Sequence, residues 1–149
     1  MIKPNRVEEI PTITFVVPGI PVSRHQPGRN RHTGATFKNK QDDIWQNHVR
    51  TYAILNRPRV IPDYPVELTV IFKFPKPLYH KQGLEYYHTR KPDLDNLVKL
   101  VKDALTKSLY VDDAQVCCEK LYKIYDDKPG LIIEVKYLPH CLMGKHKIK

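Results

Sequence analysis

Apolar residues recur in six stretches of the chain, and their spacing predicts the elements of the fold. The first stretch, "TITFVVPG" at residues 12–19, is a β-branched run closed by a proline and a glycine, which indicates a strand. From residue 39 to residue 56, apolar side chains recur every three or four positions around Trp45, which predicts an amphipathic helix. The run "VELTVIFKF", residues 66–74, alternates apolar residues with others and predicts a second strand.

The second half of the chain continues this alternation of elements. One apolar stripe of leucine, valine and alanine predicts a helix from Asp93 to about Leu109. Two strands follow, "AQVCCEKLYKIY" and "LIIEVKYL", and because only a short turn separates them we expect them to pair as a hairpin. The order strand, helix, strand, helix, strand, strand predicts an α+β fold, in which a mixed sheet of about four to five strands packs with two main helices.

The length and the termini set the domain organisation. The 149 residues fit a single domain. We predict a flexible N-terminal arm at residues 1–11, the folded domain at residues 12–140, and a basic C-terminal tail at residues 141–149. No apolar run approaches the roughly 20 residues of a membrane helix, and none at the N-terminus resembles a signal peptide. We therefore expect a cytoplasmic protein with no membrane partner.

The charge balance narrows the class of partner. The chain carries 25 Lys and Arg against 16 Asp and Glu, which gives a formal net charge of +9. A folded basic domain most often binds a polyanion, whereas the alternative is a charge that serves solubility alone. Many of the bases stand in two segments rich in proline or glycine, "SRHQPGRNRHTGA" at residues 23–35, which predicts a loop or open hairpin, and the long loop at residues 75–92.

Four aspartates flank the second predicted helix. Asp93 and Asp95 stand at its start, and Asp112 and Asp113 follow its end. Either pair alone is ordinary capping or turn chemistry, in which a capping aspartate contributes on the order of 1 kcal/mol. If the strand after Asp113 lies beside the strand leading to the helix, the sheet would bring the carboxylates together, and Mg²⁺ would suit their oxygens. Lys99, four residues after Asp95, either pairs with that carboxylate or contacts a phosphate.

Residues 91–116, "KPDLDNLVKLVKDALTKSLYVDDAQV", resemble the signature region of the RusA-type Holliday junction resolvases (crossover junction endodeoxyribonucleases). The opening "FVVPGIPVSRHQPGRNR" is similar to that family's first strand and arginine-bearing loop, but more loosely. The resemblance implies a RusA-like fold and a homodimeric endodeoxyribonuclease that depends on Mg²⁺, with Mn²⁺ as a substitute. Such an enzyme resolves four-way junction DNA by paired symmetric nicks in recombination and repair, and it would suit a bacterial or prophage genome.

The resemblance also assigns residues by position. It implies that Asp93, Asp95 and Asp113 are the catalytic, metal-binding carboxylates and that Lys99 is the basic catalytic residue. Asp112 either joins the ligands or shapes the turn. The DNA-binding residues expected around this site are Arg24, Arg29, Arg31, Lys38, Lys76, Arg90 and Lys91. The loop tyrosines are expected to pack in the core or anchor the loop, with stacking on unpaired bases as the alternative; they are Tyr79, Tyr86 and Tyr87.

Two other functions stay open from the residues themselves. One is a non-catalytic, basic DNA-binding accessory protein, in which the aspartates only cap helices. The other is a metal-dependent nuclease that acts on other branched DNA or on RNA. Incubation of a labelled junction with Mg²⁺, Mn²⁺ or EDTA separates the first from a nuclease, and competition among substrates separates the second from a junction resolvase.

Overall fold

The computed structural model describes residues 12–26, 28–37, 39–78 and 86–138. The predicted arm at residues 1–11 and tail at residues 141–149 lie outside these ranges, as do Lys38 and Tyr79. The elements, in chain order, are β1 Ile13–Pro18, β2 Gly28–Arg29, β3 Thr36–Phe37, α1 Lys40–Asn56, β4 Val66–Pro75, α2 Leu94–Leu105, a 3₁₀ turn Asp113–Gln115, β5 Val116–Asp126 and β6 Gly130–Tyr137.

Four strands form the main sheet in the order β1-β6-β4-β5, and β2 and β3 form a separate small hairpin. β4 pairs antiparallel with β6 and parallel with β5, so the sheet is mixed. With two helices, this architecture confirms the predicted α+β fold. The predicted hairpin of β5 with β6 is wrong, because β4 lies between them. Every second residue of β4 is buried, from Val66 to Phe74, so this strand takes the centre, whereas β5 exposes most of its side chains and takes an edge.

Both helices contribute to the core on one face of the sheet. α1 buries Trp45, Val49 and Ala53, while α2 buries the stripe that runs from Leu97 to Leu105. On the opposite face, the pairing register aligns four apolar side chains across the strands: Val16, Ile132, Ile71 and Tyr122. Neither helix in the described ranges has the length and apolar content that crossing a membrane would require.

α2 ends at Leu105, earlier than the predicted end near Leu109. The backbone of Lys107 has a φ of 68°, in the left-handed region, and its N–H donates to the Tyr110 carbonyl at 2.6 Å. This tight turn redirects the chain, so Leu109 and Tyr110 are both fully buried instead of continuing the helix. No glycine or proline follows Leu105 to mark the end of the helix. The burial of Leu109 and Tyr110 stabilises the turn instead.

The β4-α2-β5 crossover decides where the four aspartates lie. Since β4 and β5 are parallel, α2 must run back along the sheet between the end of one strand and the start of the other. The start of α2 lies near Lys123, which pairs with Phe72, whereas the 3₁₀ turn leads into Val116, which pairs with Val66. Six residues of strand separate these levels, which corresponds to about 20 Å.

Candidate active site

The segment before α2, residues 86–93, lies along the outer edge of β5. The His88 N–H donates to the Lys123 carbonyl at 3.0 Å, and the Tyr125 N–H donates to the Tyr86 carbonyl at 2.9 Å. These bonds hold the segment as a short antiparallel partner of β5, so the approach to α2 has a defined path over the sheet.

The Lys123 side chain fastens the last residues before α2. Its Nζ donates to the Arg90 carbonyl at 2.6 Å and to the Pro92 carbonyl at 2.7 Å. Hydrogen bonds from an ammonium are stronger than those from a neutral donor. Because Pro92 is followed directly by Asp93, this contact fixes the backbone that carries the first predicted catalytic carboxylate.

The His88 side chain packs against two aromatic residues of the sheet. Its ring lies 4.5 Å from the Phe74 ring and 4.9 Å from the Tyr125 ring, measured between centroids. Its Nδ1 is buried and has no hydrogen-bond partner among the described residues. Burial, together with the positive charge of Lys123, lowers the pKa of His88 below its usual 6.5. This shift favours the neutral form of the imidazole.

We expect the stability of the chain to fall in acid through His88. The depressed pKa means that, below about pH 6.5, the unfolded chain binds a proton before the folded chain does, so the free energy of unfolding decreases as pH falls. The decrease levels off once His88 titrates in the folded state. Melting temperatures of the natural chain and of His88→Phe, compared from pH 7.5 to 5, should diverge toward acid; a constant difference would contradict this expectation.

At the start of α2, the predicted catalytic side chains are exposed. Asp93 occupies the N-cap position, yet its carboxylate makes no capping hydrogen bond. Asp95 lies in the first turn, and Lys99 follows one turn later on the same face. Within the described ranges, Lys99 is ion-paired with neither Asp95 nor Asp103. All three groups are thus available to a ligand.

The second pair of aspartates divides into two roles. Asp112 accepts a hydrogen bond from the Ala114 N–H at 2.8 Å and caps the 3₁₀ turn, and Gln115 closes a capping box by accepting from the Asp112 N–H at 3.1 Å. The hydrogen bond from the Ala114 N–H is the main cause that lowers the pKa of Asp112, and a hydrogen bond with Asp113 adds to this effect. Asp113 is exposed and stands beside it.

Asp113 lies in an excess of negative charge. Its hydrogen bond with Asp112 raises its pKa above the usual value, and burial, Asp112 and Asp103 add to the increase, whereas Lys102 opposes it. Like charges that crowd one another in this way are relieved by a cation. This end of α2 therefore favours a positive partner.

The structure does not bring the predicted metal ligands together within one chain. Asp93 and Asp95 lie at the N-terminal end of α2, while Asp113 lies beyond its C-terminal end near Asp103. In the described part of the chain, no group of three or more His, Cys, Asp or Glu residues could hold a metal ion. The expected juxtaposition through the sheet fails because β5 is parallel to β4.

The loop after β1 is fastened to both helices. The Arg24 N–H donates to the Asn96 carbonyl of α2 at 3.0 Å, and its guanidinium is ion-paired with Asp103. The His25 ring and backbone N–H both contact the buried Asp42 carboxylate of α1, each at 2.7 Å. The Arg24 guanidinium, predicted to bind DNA, is thus ion-paired with Asp103 within its own chain.

The other predicted DNA-binding residues differ in whether their charge is already ion-paired within the described ranges. Arg29 and Arg31 are exposed on the β2-β3 hairpin, and Arg90 and Lys91 are exposed just before Asp93. Lys76 is ion-paired with Asp127 at 3.1 Å on the surface. An exposed pair of this kind contributes little to stability, so the Lys76 ammonium can exchange partners.

The two described loop tyrosines are not part of the core. Tyr86 is 62% exposed and Tyr87 is 61% exposed, which rules out burial as their main role. Together with Ile71, Tyr122 and Ile124 they line a shallow depression of about 200 Å³ on the open face of the sheet. Tyr87 also forms an isolated bridge to Ile124, so the segment is anchored by its backbone while its rings face solvent.

Comparison with known proteins identifies the family. The family model described as "Endodeoxyribonuclease RusA" matches residues 18–136, which is most of the chain and includes all four aspartates. The chain belongs to the RusA family. It is therefore an endodeoxyribonuclease, and the resemblance of residues 91–116 to RusA-type enzymes is confirmed.

Two relatives extend this result over nearly their full lengths. "Uncharacterized protein YqaN" of Bacillus subtilis (strain 168) is 30% identical over 135 residues, which covers 83% of this chain and 95% of the relative. "Crossover junction endodeoxyribonuclease rusA" of Lactococcus phage r1t is 26% identical over 124 residues, which covers 81% of this chain and 93% of the relative. The chain thus covers nearly the whole length of both relatives.

Sequence reasoning missed Lys123 within this RusA domain. In β5, Leu121 and Tyr125 point toward the core. Lys123 lies midway between them and therefore on the same face of the strand. A lysine at a core-facing position is the signal that could have found it, because such a charge needs local partners. The two carbonyls that it contacts lie about thirty residues earlier in the chain, and no spacing rule links them.

Proposed function

We propose that this RusA-family endodeoxyribonuclease acts as a Mg²⁺-dependent homodimer that resolves four-way DNA junctions by paired symmetric nicks. The observation that carries the proposal is the start of α2, where Asp93 and Asp95 are exposed and the Asp93 carboxylate is not used for capping. The exposed bases Arg90 and Lys91 directly precede it. The phage relative named as a crossover junction endodeoxyribonuclease supports the choice of substrate.

The chemistry of the donors fits a hard divalent cation. Asp93, Asp95 and Asp113 offer only carboxylate oxygens, which Mg²⁺ prefers, and Mn²⁺ accepts the same ligands. A bound ion would activate a water molecule and stabilise the leaving oxygen of the phosphodiester. Asp93 and Asp95 would hold the ion, and Lys99 would direct its ammonium toward a phosphate oxygen from one turn further along α2.

A second copy of the chain would bring Asp113 close to Asp93 and Asp95. The two ends of α2 carry complementary parts of the site, Asp93 and Asp95 at one end and Asp113 beyond the other. In an isologous dimer with antiparallel α2 helices, the start of one helix lies beside the end of its partner. Each site then takes Asp93 and Asp95 from one copy and Asp113 from the other. Two equal sites match a junction of two-fold symmetry, which accounts for paired nicks.

Asp112 shapes the turn in this proposal and is not a metal ligand. Its carboxylate accepts from the Ala114 N–H, and the Gln115 side chain, which accepts from the Asp112 N–H, also donates to the Tyr64 carbonyl at 2.9 Å. This network fixes the backbone of Asp113 against the loop before β4. Asp113 is thereby presented while Asp112 is occupied.

In this proposal, the phosphate backbone is bound mainly by the bases that form no ion pair within the described ranges. Arg29 and Arg31 extend on the hairpin, while Arg90 and Lys91 flank the carboxylates. Contacts of this kind give affinity that is strongly salt-dependent and not sequence-specific. Tyr86 and Tyr87 offer exposed rings for unpaired bases next to the same segment.

A substrate comparison tests the proposed function. Labelled four-way junction, flap, linear duplex and structured RNA are incubated with the protein in Mg²⁺, Mn²⁺ or EDTA. We expect paired symmetric nicks in the junction with either metal and none in EDTA. Binding without any product would favour the accessory-protein alternative, and faster cleavage of the flap or the RNA would contradict a junction resolvase.

A further inference from the structure

We propose that Lys123 is a positioning residue that holds the carboxylate-bearing start of α2 in the geometry required for metal binding. This inference rests on the proposed function, because it assumes that Asp93 and Asp95 are ligands. Lys123 itself does not contact them. It acts through the backbone that leads into α2.

Lys123 grips the segment before α2 at three points. Its carbonyl accepts from the His88 N–H at 3.0 Å, and its ammonium donates to the carbonyls of Arg90 and Pro92 at 2.6 and 2.7 Å. One residue of β5 thus closes the segment 88–92 from both ends. Since Asp93 follows Pro92, movement of this carbonyl would reorient the Asp93 carboxylate.

The use of its donors separates Lys123 from the DNA-binding bases. An ammonium has three N–H groups, and Lys123 directs two of them to backbone carbonyls of its own chain. Its side chain is partly buried, whereas Arg90 and Lys91 are exposed. The geometry therefore favours a structural role over a contact with phosphate. We call the contacts of Lys123 with His88, Arg90 and Pro92 the clamp.

β5 offers a matched control in Lys120. This residue lies three positions earlier in the same strand, carries the same charge and is exposed. Its ammonium is ion-paired with Glu67 at 2.9 Å on the neighbouring strand, away from the segment before α2. Loss of Lys120 removes a positive charge from the same strand but leaves the clamp intact.

The experiment compares Lys123→Met, Lys123→Arg and Lys120→Met with the natural chain. Methionine keeps the length and packing of the side chain without its donors, whereas arginine keeps charge and donors. We expect Lys123→Met to lower kcat on a saturating junction by about 10- to 100-fold and to raise the half-saturating Mg²⁺ concentration, as removal of a group that orients metal ligands does. Lys123→Arg should recover part of both losses, and Lys120→Met should match the natural chain.

A measurement without metal isolates the positioning step. In EDTA, we expect hydrogen exchange of the backbone amides of residues 86–93 to accelerate in Lys123→Met but not in Lys120→Met. The Kd for the junction and its salt slope should stay unchanged. A phosphate contact would instead weaken binding and reduce the salt slope by about one, with no change in the Mg²⁺ requirement, and that outcome would overturn the inference.

The remaining outcomes are also decisive. If Lys123→Met keeps the natural kcat, Mg²⁺ requirement and exchange rates, the clamp has no role. If Lys123→Met does not fold, Lys123→Arg carries the test. A natural Mg²⁺ requirement in Lys123→Arg, together with slowed or unchanged exchange, supports the inference that the contacts of Lys123 hold the segment. A raised Mg²⁺ requirement without faster exchange overturns it. Failure of the proposed function would appear separately, as full cleavage by Asp95→Asn.

Discussion

Asp95→Asn and Asp113→Asn should each abolish junction cleavage while leaving junction binding intact. Replacement of a carboxylate by an amide removes the charge that a divalent cation requires, and we expect the cleavage rate to fall by about a thousandfold or more, equivalent to about 4 kcal/mol of transition-state stabilisation. Binding should persist or strengthen, because both variants remove negative charge from a surface that faces phosphate. Single-turnover cleavage in Mg²⁺ and a binding titration in EDTA measure the two effects.

Asp112→Asn provides the matched contrast. Asparagine caps a helical turn about as well as aspartate does, so the hydrogen bond to the Ala114 N–H can be retained. We expect cleavage within a few-fold of the natural rate. Cleavage at the natural rate by Asp95→Asn or Asp113→Asn would refute the site assignment, and a loss in Asp112→Asn as large as theirs would make Asp112 a ligand.

A mixture of two inactive variants should regain activity if each site is shared between copies. In a mixed dimer of Asp95→Asn with Asp113→Asn, one site carries both substitutions and the other carries neither. Random exchange makes half of the dimers mixed, so about a quarter of the sites should be intact. The product should be a junction nicked in one strand, because each mixed dimer has a single working site.

The mixture also distinguishes the two possible architectures. If Asp93, Asp95 and Asp113 of the same chain formed each site, every site in the mixture would contain one substitution and no activity would return. The control is a mixture of Asp95→Asn with Asp93→Asn, whose substitutions lie on the same end of α2. That mixed dimer has no intact site in either architecture, so any nicking by it would contradict the assignment of both residues.

The helices and the central strand follow from local pattern. Period-two burial in β4 and the apolar stripe of α2 were visible as sequence periodicity, and both elements form there, although α2 ends at Leu105 and not near Leu109. The pairing of β5 was not visible, since a short turn before Gly130 favours a hairpin on local grounds. Tertiary burial of β4 overrides that preference and inserts it between the two strands.

In the candidate site, too, the features that depend on neighbouring residues could be predicted from the sequence, whereas those that depend on distant residues could not. The "PDLDN" motif and the lysine one turn later could be found from residue type and spacing. The separation of Asp93 from Asp113 could not be found, because it depends on whether β5 runs parallel or antiparallel to β4. The contacts of Lys123 and the pairing of Arg24 with Asp103 likewise depend on residues about 30 and 79 positions apart.

The central position of β4 also constrains how the chain acquires its structure during synthesis. Both strands that flank β4 come later in the sequence, β5 ending at Asp126 and β6 ending at Tyr137. A nascent chain that has emerged only as far as α2 therefore exposes both edges of β4. The sheet can close only after β6 has left the ribosome, so its long-range pairing forms late, and a stall before Gly130 would leave an aggregation-prone edge.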